Sequence, residues 1–182
     1  MKTNRKDAIF CVSNNKYRIE TTRLPSWDYG ANAPYFVTIC TKNKRMSFGR
    51  IINNIIKLSP LGKIAQKYWL EIPKHFPFVE LGEFIIIPNH IHGIIIINKS
   101  IVETQNVTSL HKNKFGPQSQ NLASIVRGYK SGVTMYARKN NIEFDWQPRY
   151  YDHIIKNYKS WERIQQYILQ NPNNWLNDEY QV

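Results

Sequence analysis

Apolar residues recur along this chain with two different periods, and the two periods divide it into strands and helices. Tyr35-Phe36-Val37-Thr38-Ile39-Cys40-Thr41 is dense in β-branched and aromatic residues and predicts a strand, closed by the charged run Lys42-Asn43-Lys44-Arg45. In residues 60–71, Leu61, Ile64, Ala65, Tyr68 and Trp69 fall at the three-four spacing that keeps one helix face apolar, and Pro73 ends the pattern. Residues 78–87 and 91–97 are isoleucine-rich runs separated by Pro88-Asn89. They predict two strands joined at a turn, where the N–H that proline lacks is not needed by a ladder. Runs this continuous suit strands central in a sheet or covered on both faces. Leu122, Ile125, Val126, Tyr129, Val133 and Tyr136 mark a second helix, residues 150–155 a further strand, and residues 159–170 a third helix stopped at Asn171-Pro172. Residues 1–33 read as a polar lead-in, and residues 98–120 as a polar loop long enough to suspect a function. The order strand, helix, two strands, helix, strand, helix, with no internal repeat, predicts an α+β fold in one domain over residues 1–182: an antiparallel sheet with helices packed on it.

Composition narrows the partners. Hydrophobic residues make up 42% of the chain, enough to bury a core, while Lys and Arg outnumber Asp and Glu by 25 to 13 for a net charge of +12. Such an excess attracts polyanions, of which nucleic acid is the commonest; ribosomes and acidic proteins are the blander partners. Cys11 and Cys40 are the only cysteines and form no CxxC pair, which excludes a zinc-finger framework and fits a reducing compartment. The basic N-terminus leads into no long apolar stretch, and Pro88, Asn89 and two histidines interrupt the run from Phe84 to Ile97. The expectation is a cytoplasmic protein with neither signal peptide nor membrane span. No phosphate-cradling glycine loop and no Gly-x-Ser-x-Gly elbow occurs.

Candidate chemistry then concentrates at two places. His90 and His92 stand two apart in a strand, so both imidazoles project to one face and can reach one divalent ion. The bland alternative is a hydrogen-bonded core histidine or an exposed turn. Against it, burying two polar rings among isoleucines costs free energy unless they find partners. Two imidazoles alone leave an ion open to substrate, which suits catalysis better than a closed structural site. Tyr167 and Asn171 stand four apart on a helix and share a face, one offering a phenol and the other an amide oxygen. A phenol attacks phosphorus poorly unless a cation draws charge from the phosphate. Tyr167 also sits in an apolar stripe with Trp161, Ile164 and Ile168, and packing is the commoner role for such a tyrosine. His75, His111 and His153, and Glu80 and Glu83, stand outside any tight spacing and read as structural or solvated. Cations lie beside aromatics at Lys42, Lys44 and Arg45, along Arg127 and Lys130, and at Arg149 and Tyr150. Aromatic faces that stack on bases beside cations that hold phosphates are the usual design for single strands, although each cluster alone reads equally as a solvated face.

Taken together, five segments resemble the single-tyrosine HUH transposases, and in particular the REP-associated tyrosine transposase branch. They are Tyr35–Thr41; Ile87-Pro88-Asn89-His90-Ile91-His92-Gly93; Leu122–Ser131; Trp146-Gln147-Pro148-Arg149-Tyr150-Tyr151-Asp152-His153-Ile154-Ile155; and Tyr167-Ile168-Leu169-Gln170-Asn171-Pro172. The resemblance implies a ferredoxin-like fold. It also implies Mg²⁺ or Mn²⁺ held by His90, His92 and Asn171, and Tyr167 as the nucleophile that cuts single-stranded DNA near a hairpin. The products would be a 5′-phosphotyrosine link and a free 3′-OH that can later rejoin strands, so no nucleotide-binding motif is required. Members act as monomers or as homodimers, and both remain open for this chain. So do two rival functions: a domesticated hairpin-binding protein without activity, and an unrelated basic RNA-binding domain or metal-dependent RNase.

Overall fold

The computed structural model describes residues 26–101, 119–173 and 175. Most of the lead-in and of the 98–120 loop therefore lies outside the described residues. The main sheet contains β1 (Ala33–Cys40), β4 (Val79–Ile87), β5 (His90–Ile97) and β6 (Tyr151–Ile154), in the order β4-β5-β1-β6, with every neighbouring pair antiparallel. Helix α1 (Pro60–Leu70), followed by the single turn α2 (Ile72–His75), connects β1 to β4, and α3 (Leu122–Lys139) connects β5 to β6. Strand, helix, two strands, helix, strand in this spatial order is the ferredoxin-like arrangement. The expected α+β class is thus the observed one. Helix α4 (Tyr158–Gln170) follows the last strand.

Each long helix begins where a short polar side chain satisfies an otherwise unpaired N–H. Ser59 accepts from the Gly62 N–H before Pro60, Asn157 accepts from Ser160, and Asn121 and Ser124 cap each other reciprocally. Alternation along β1 assigns the two faces of the sheet. Tyr35, Val37 and Ile39 join the large core with Trp69 of α1 and Ile125, Tyr129 and Val133 of α3. Phe36 points the other way and joins Ile94, Ile164 and Ile168 beneath α4. The sheet is therefore covered on both faces, as its isoleucine runs require. Gly93 lets β5 pass under α1, because a Cβ there would overlap the Trp69 ring.

The structure also contains a two-stranded ribbon, β2 (Gly49–Ile52) and β3 (Ile55–Leu58), separate from the main sheet. Its turn is Asn53-Asn54, both at positive φ, the conformation of a two-residue hairpin loop. No alternating pattern in the sequence predicts an element there. No helix among the described residues is long and apolar enough to cross a membrane.

Candidate active site

β5 opens immediately after the Pro88-Asn89 turn, and its even-numbered residues face α4. His90 and His92 therefore share that face, as their spacing predicts, and both are fully buried. Their Nε2 atoms meet at 2.8 Å. The outer nitrogens are fixed too: His90 Nδ1 lies 2.8 Å from Asn89 Oδ1, and His92 Nδ1 lies 2.9 Å from Thr38 Oγ1. An amide oxygen can only accept, so His90 Nδ1 carries its proton towards Asn89 and leaves Nε2 as a bare lone pair. That lone pair faces the second Nε2, so the 2.8 Å contact needs a proton on His92 Nε2, one that a metal ion held by both rings would displace. Burial pushes the His92 imidazole down to about 3, and burial, with help from His92 and Lys44, holds His90 well below its ordinary range. Both rings are neutral at physiological pH, the state in which imidazole binds metal.

The end of α4 closes over this pair. Tyr167 Oη is 3.2 Å from His92 Nε2, and the tyrosine ring meets both His92 and Phe36 edge-on. Although it borders the apolar stripe of Ile164 and Ile168, Tyr167 is 43% exposed. Asn171 caps the helix one turn beyond Tyr167 and is buried. Four residues later Trp175 stacks on His90 at 6.3 Å. Phe36 stacks on His92 from the strand side at 5.4 Å. Among the described residues, no three His, Cys, Asp or Glu side chains gather into a metal cage. An ion held by both rings would need a further donor from a neutral oxygen, and Asn171, buried at the closing helix end, carries an amide oxygen of that kind. A mixed nitrogen and oxygen set of this kind fits a divalent ion.

The predicted nucleic-acid residues divide into three groups. Lys42 and Arg45, in the segment after β1, are paired with acids: Lys42 Nζ is 3.1 Å from Asp145, and Arg45 makes a two-pronged contact with Glu143 at 2.6 and 3.2 Å. Lys44, between them, lies close enough to His90 to disfavour its protonation. Arg127, Lys130, Arg149 and Tyr150 line one groove of about 610 Å³ together with Arg138 and Met135. This groove lies on the α3 side of the sheet, away from the histidine pair. Within it Lys130 has a structural task. Its ammonium donates to the Gln147 and Arg149 carbonyls at 2.8 and 3.0 Å and lies over the Trp146 ring, and burial lowers its pKa to about 8. It thereby holds the turn that presents Arg149, whose φ of 66° is left-handed. Glu80 bonds Asn98 and Glu83 bonds Gln165, and His153 is an exposed residue of β6. His111 lies outside the described residues.

Four participants escaped the sequence reading: Thr38, Asn89, Phe36 and Trp175. Asn89 was legible only as a turn residue. The pairing of Thr38 with His92 depends on the β1–β5 register.

No family model matches the chain. An uncharacterized protein of Haemophilus influenzae is 44% identical over 164 residues, which span 88% of this chain and 91% of the relative. The chain belongs to one family with that protein. Among solved structures, a REP-associated tyrosine transposase bound to a REP hairpin superposes with a TM-score of 0.57 over 86% of this chain and 74% of its own, at 17% identity. That likeness is one of fold. A Deinococcus radiodurans R1 chain with a transposase assignment, 14% identical over 82% of this chain and 97% of its own, gives a TM-score of 0.46, too loose a match to bear on the fold.

Proposed function

We propose that this protein is a metal-dependent single-stranded DNA endonuclease and strand transferase, transposase-like, acting at hairpin-bearing DNA with Tyr167 as nucleophile. The observation that carries the proposal is the 3.2 Å approach of the Tyr167 hydroxyl to His92 Nε2, directly beside the contact between the two imidazoles. A packing tyrosine would bury its hydroxyl away from such a cluster. Here a partly exposed phenol meets paired neutral imidazoles on a strongly basic chain. The shared fold of the hairpin-bound transposase supports the same reading.

His90, His92 and Asn171 would hold Mg²⁺ or Mn²⁺. Bound there, the ion would supply the positive charge that stabilises a phosphate under attack. The protein's own residues supply position and proton control. Asn89 and Thr38 fix the imidazole orientations, the role outer partners play at metal centres. Phe36 and Trp175 exclude water from one side of each ring. Tyr167 Oη forms a bond to phosphorus and gives its proton to solvent. The bond from phosphorus to the 3′ oxygen breaks, and that oxygen leaves as a 3′-OH after protonation. The 5′-phosphate remains on the tyrosine, and a later attack by a 3′-OH reverses the exchange, so the phosphodiester energy is conserved. Lys44 beside the pair, and Arg127, Arg149 and Tyr150 in the α3 groove, are the proposed DNA contacts. Lys130 supports the groove through Arg149.

Incubation with a hairpin-bearing oligonucleotide and Mn²⁺ or Mg²⁺ tests this directly. A covalent protein–DNA band that survives denaturing electrophoresis is expected. It should vanish with a chelator and in Tyr167→Phe, while hairpin binding persists. Hairpin binding without any adduct would leave only a DNA-binding protein. Preferential cutting of oligoribonucleotides without an adduct would indicate an RNase.

A further inference from the structure

The β2–β3 ribbon is anchored at its base and bare at its tip. At the base Phe48 is fully buried, Ser59 donates to the Ser47 and Phe48 carbonyls, and Gly49 sits at a φ of 145°, where a Cβ would collide with the Lys57 carbonyl. The register sets Arg50 directly opposite Lys57, and Ile52 opposite Ile55. Alternation puts these four side chains on one ribbon face. Arg50, Lys57 and Ile55 are exposed, Ile55 by 63%. Like charges directly opposite each other destabilise an antiparallel pair. Neither cation makes an ion pair among the described residues, unlike Lys42 and Arg45. An isolated two-stranded ribbon is already marginal in water, and an exposed isoleucine tip contributes nothing to its folding. Each of these features disfavours a ribbon that faces only solvent, and each becomes favourable against a polyanion with a hydrophobic floor.

We propose that the β2–β3 ribbon is a duplex-DNA reader that enters the major groove of the hairpin stem. This rests on the hairpin-directed function proposed above and assigns the stem to a place in the fold. A major groove about 12 Å wide admits a two-stranded ribbon, whose length here, four residues per strand, is about 13 Å. Arg50 and Lys57 flank the ribbon and take phosphates from the two groove walls. Ile52 and Ile55 meet base edges and thymine methyl groups on the floor. Single-stranded DNA offers no such pair of walls, so the ribbon discriminates for duplex.

The test compares wild type with R50Q/K57Q and Ile55→Asn, all surface changes whose folding is checked by thermal melting. Affinity is read for a hairpin and for an unstructured strand of equal length across a salt series. Loss of two phosphate contacts should lower the hairpin's log–log salt slope by about 1.8, since each contributes about 0.9. Ile55→Asn should weaken hairpin binding several-fold at unchanged slope. Binding of the unstructured strand, and adduct formation on it, should stay at the wild-type level. Unchanged hairpin affinity, or equal losses on hairpin and strand, overturns the proposal. So does sedimentation showing that Ile55→Asn dissolves a dimer while hairpin affinity is kept. If wild type forms no adduct at all, the nuclease reading fails while the ribbon's binding role is still decided by the affinities.

Discussion

Acid should unfold the metal-free protein unusually early, and the reason is the buried histidine pair. In the native state burial pushes His92 down to about 3 and holds His90 well below its usual range. In the unfolded chain both imidazoles return to a pKa of about 6.5. Between those values the unfolded state binds protons that the folded state refuses. Stability is therefore fully present above about pH 6.5 and is lost as pH falls through the window below it. Lowering the pH from 7 to 5 favours the unfolded state by roughly 2 kcal/mol through His92, and His90 shifts the balance the same way. That is a large part of the total stability of a typical domain. The assay is urea denaturation in chelator at half-unit pH steps, with H90Q/H92Q as the comparison. Wild type should lose stability steeply below pH 6.5, and the double variant should lose at least about 2 kcal/mol less between pH 7 and 5. Equal acid slopes in the two proteins would refute the claim that these rings are buried and neutral.

Three further outcomes follow from the same geometry. Thr38→Val removes the hydrogen bond to His92 Nδ1 and should weaken Mn²⁺ binding about 10- to 100-fold by calorimetry, since outer partners orient metal-binding imidazoles; unaltered affinity would exclude Thr38 from the site. Gly93→Ala forces a methyl group into the Trp69 ring and should lower stability by about 1–3 kcal/mol in chemical denaturation. Arg45→Ala breaks an ion pair whose members are 54% and 83% exposed, so the denaturation midpoint should stay at the wild-type value; a clear drop would show that the pair is structural.

What the sequence disclosed depended on whether the physics was local. The period of the apolar residues is local, so β1, α1, β4, β5, α3, β6 and α4 were legible, and His-x-His gave the shared face of His90 and His92 without any knowledge of the sheet. The β2–β3 ribbon was missed because Ile51-Ile52 and Ile55-Ile56 place apolar residues on both of its faces, so no alternation marks either strand. The Asn53-Asn54 turn between two Ile-Ile pairs was the available signal. Long-range pairing was invisible. Lys42 and Arg45 stand 103 and 98 positions from the acids that occupy them, so a charge run that reads as a free nucleic-acid contact is partly engaged within the protein. Lys130 likewise looked like a phosphate ligand, but backbone carbonyls 17 and 19 residues away hold it. The approach of Tyr167 to His92 across 75 residues is the same kind of fact: the helix stripe suggested packing, and only the closing of α4 over the sheet brings the phenol to the imidazoles.

The most direct measurement is mass spectrometry of the peptide that carries DNA after wild-type protein is incubated with a hairpin-bearing oligonucleotide and Mn²⁺, then digested with protease and nuclease. A nucleotide attached through its 5′-phosphate to the oxygen of Tyr167 is expected. A nucleotide on any other residue, or cleaved DNA with no modified peptide, would contradict it.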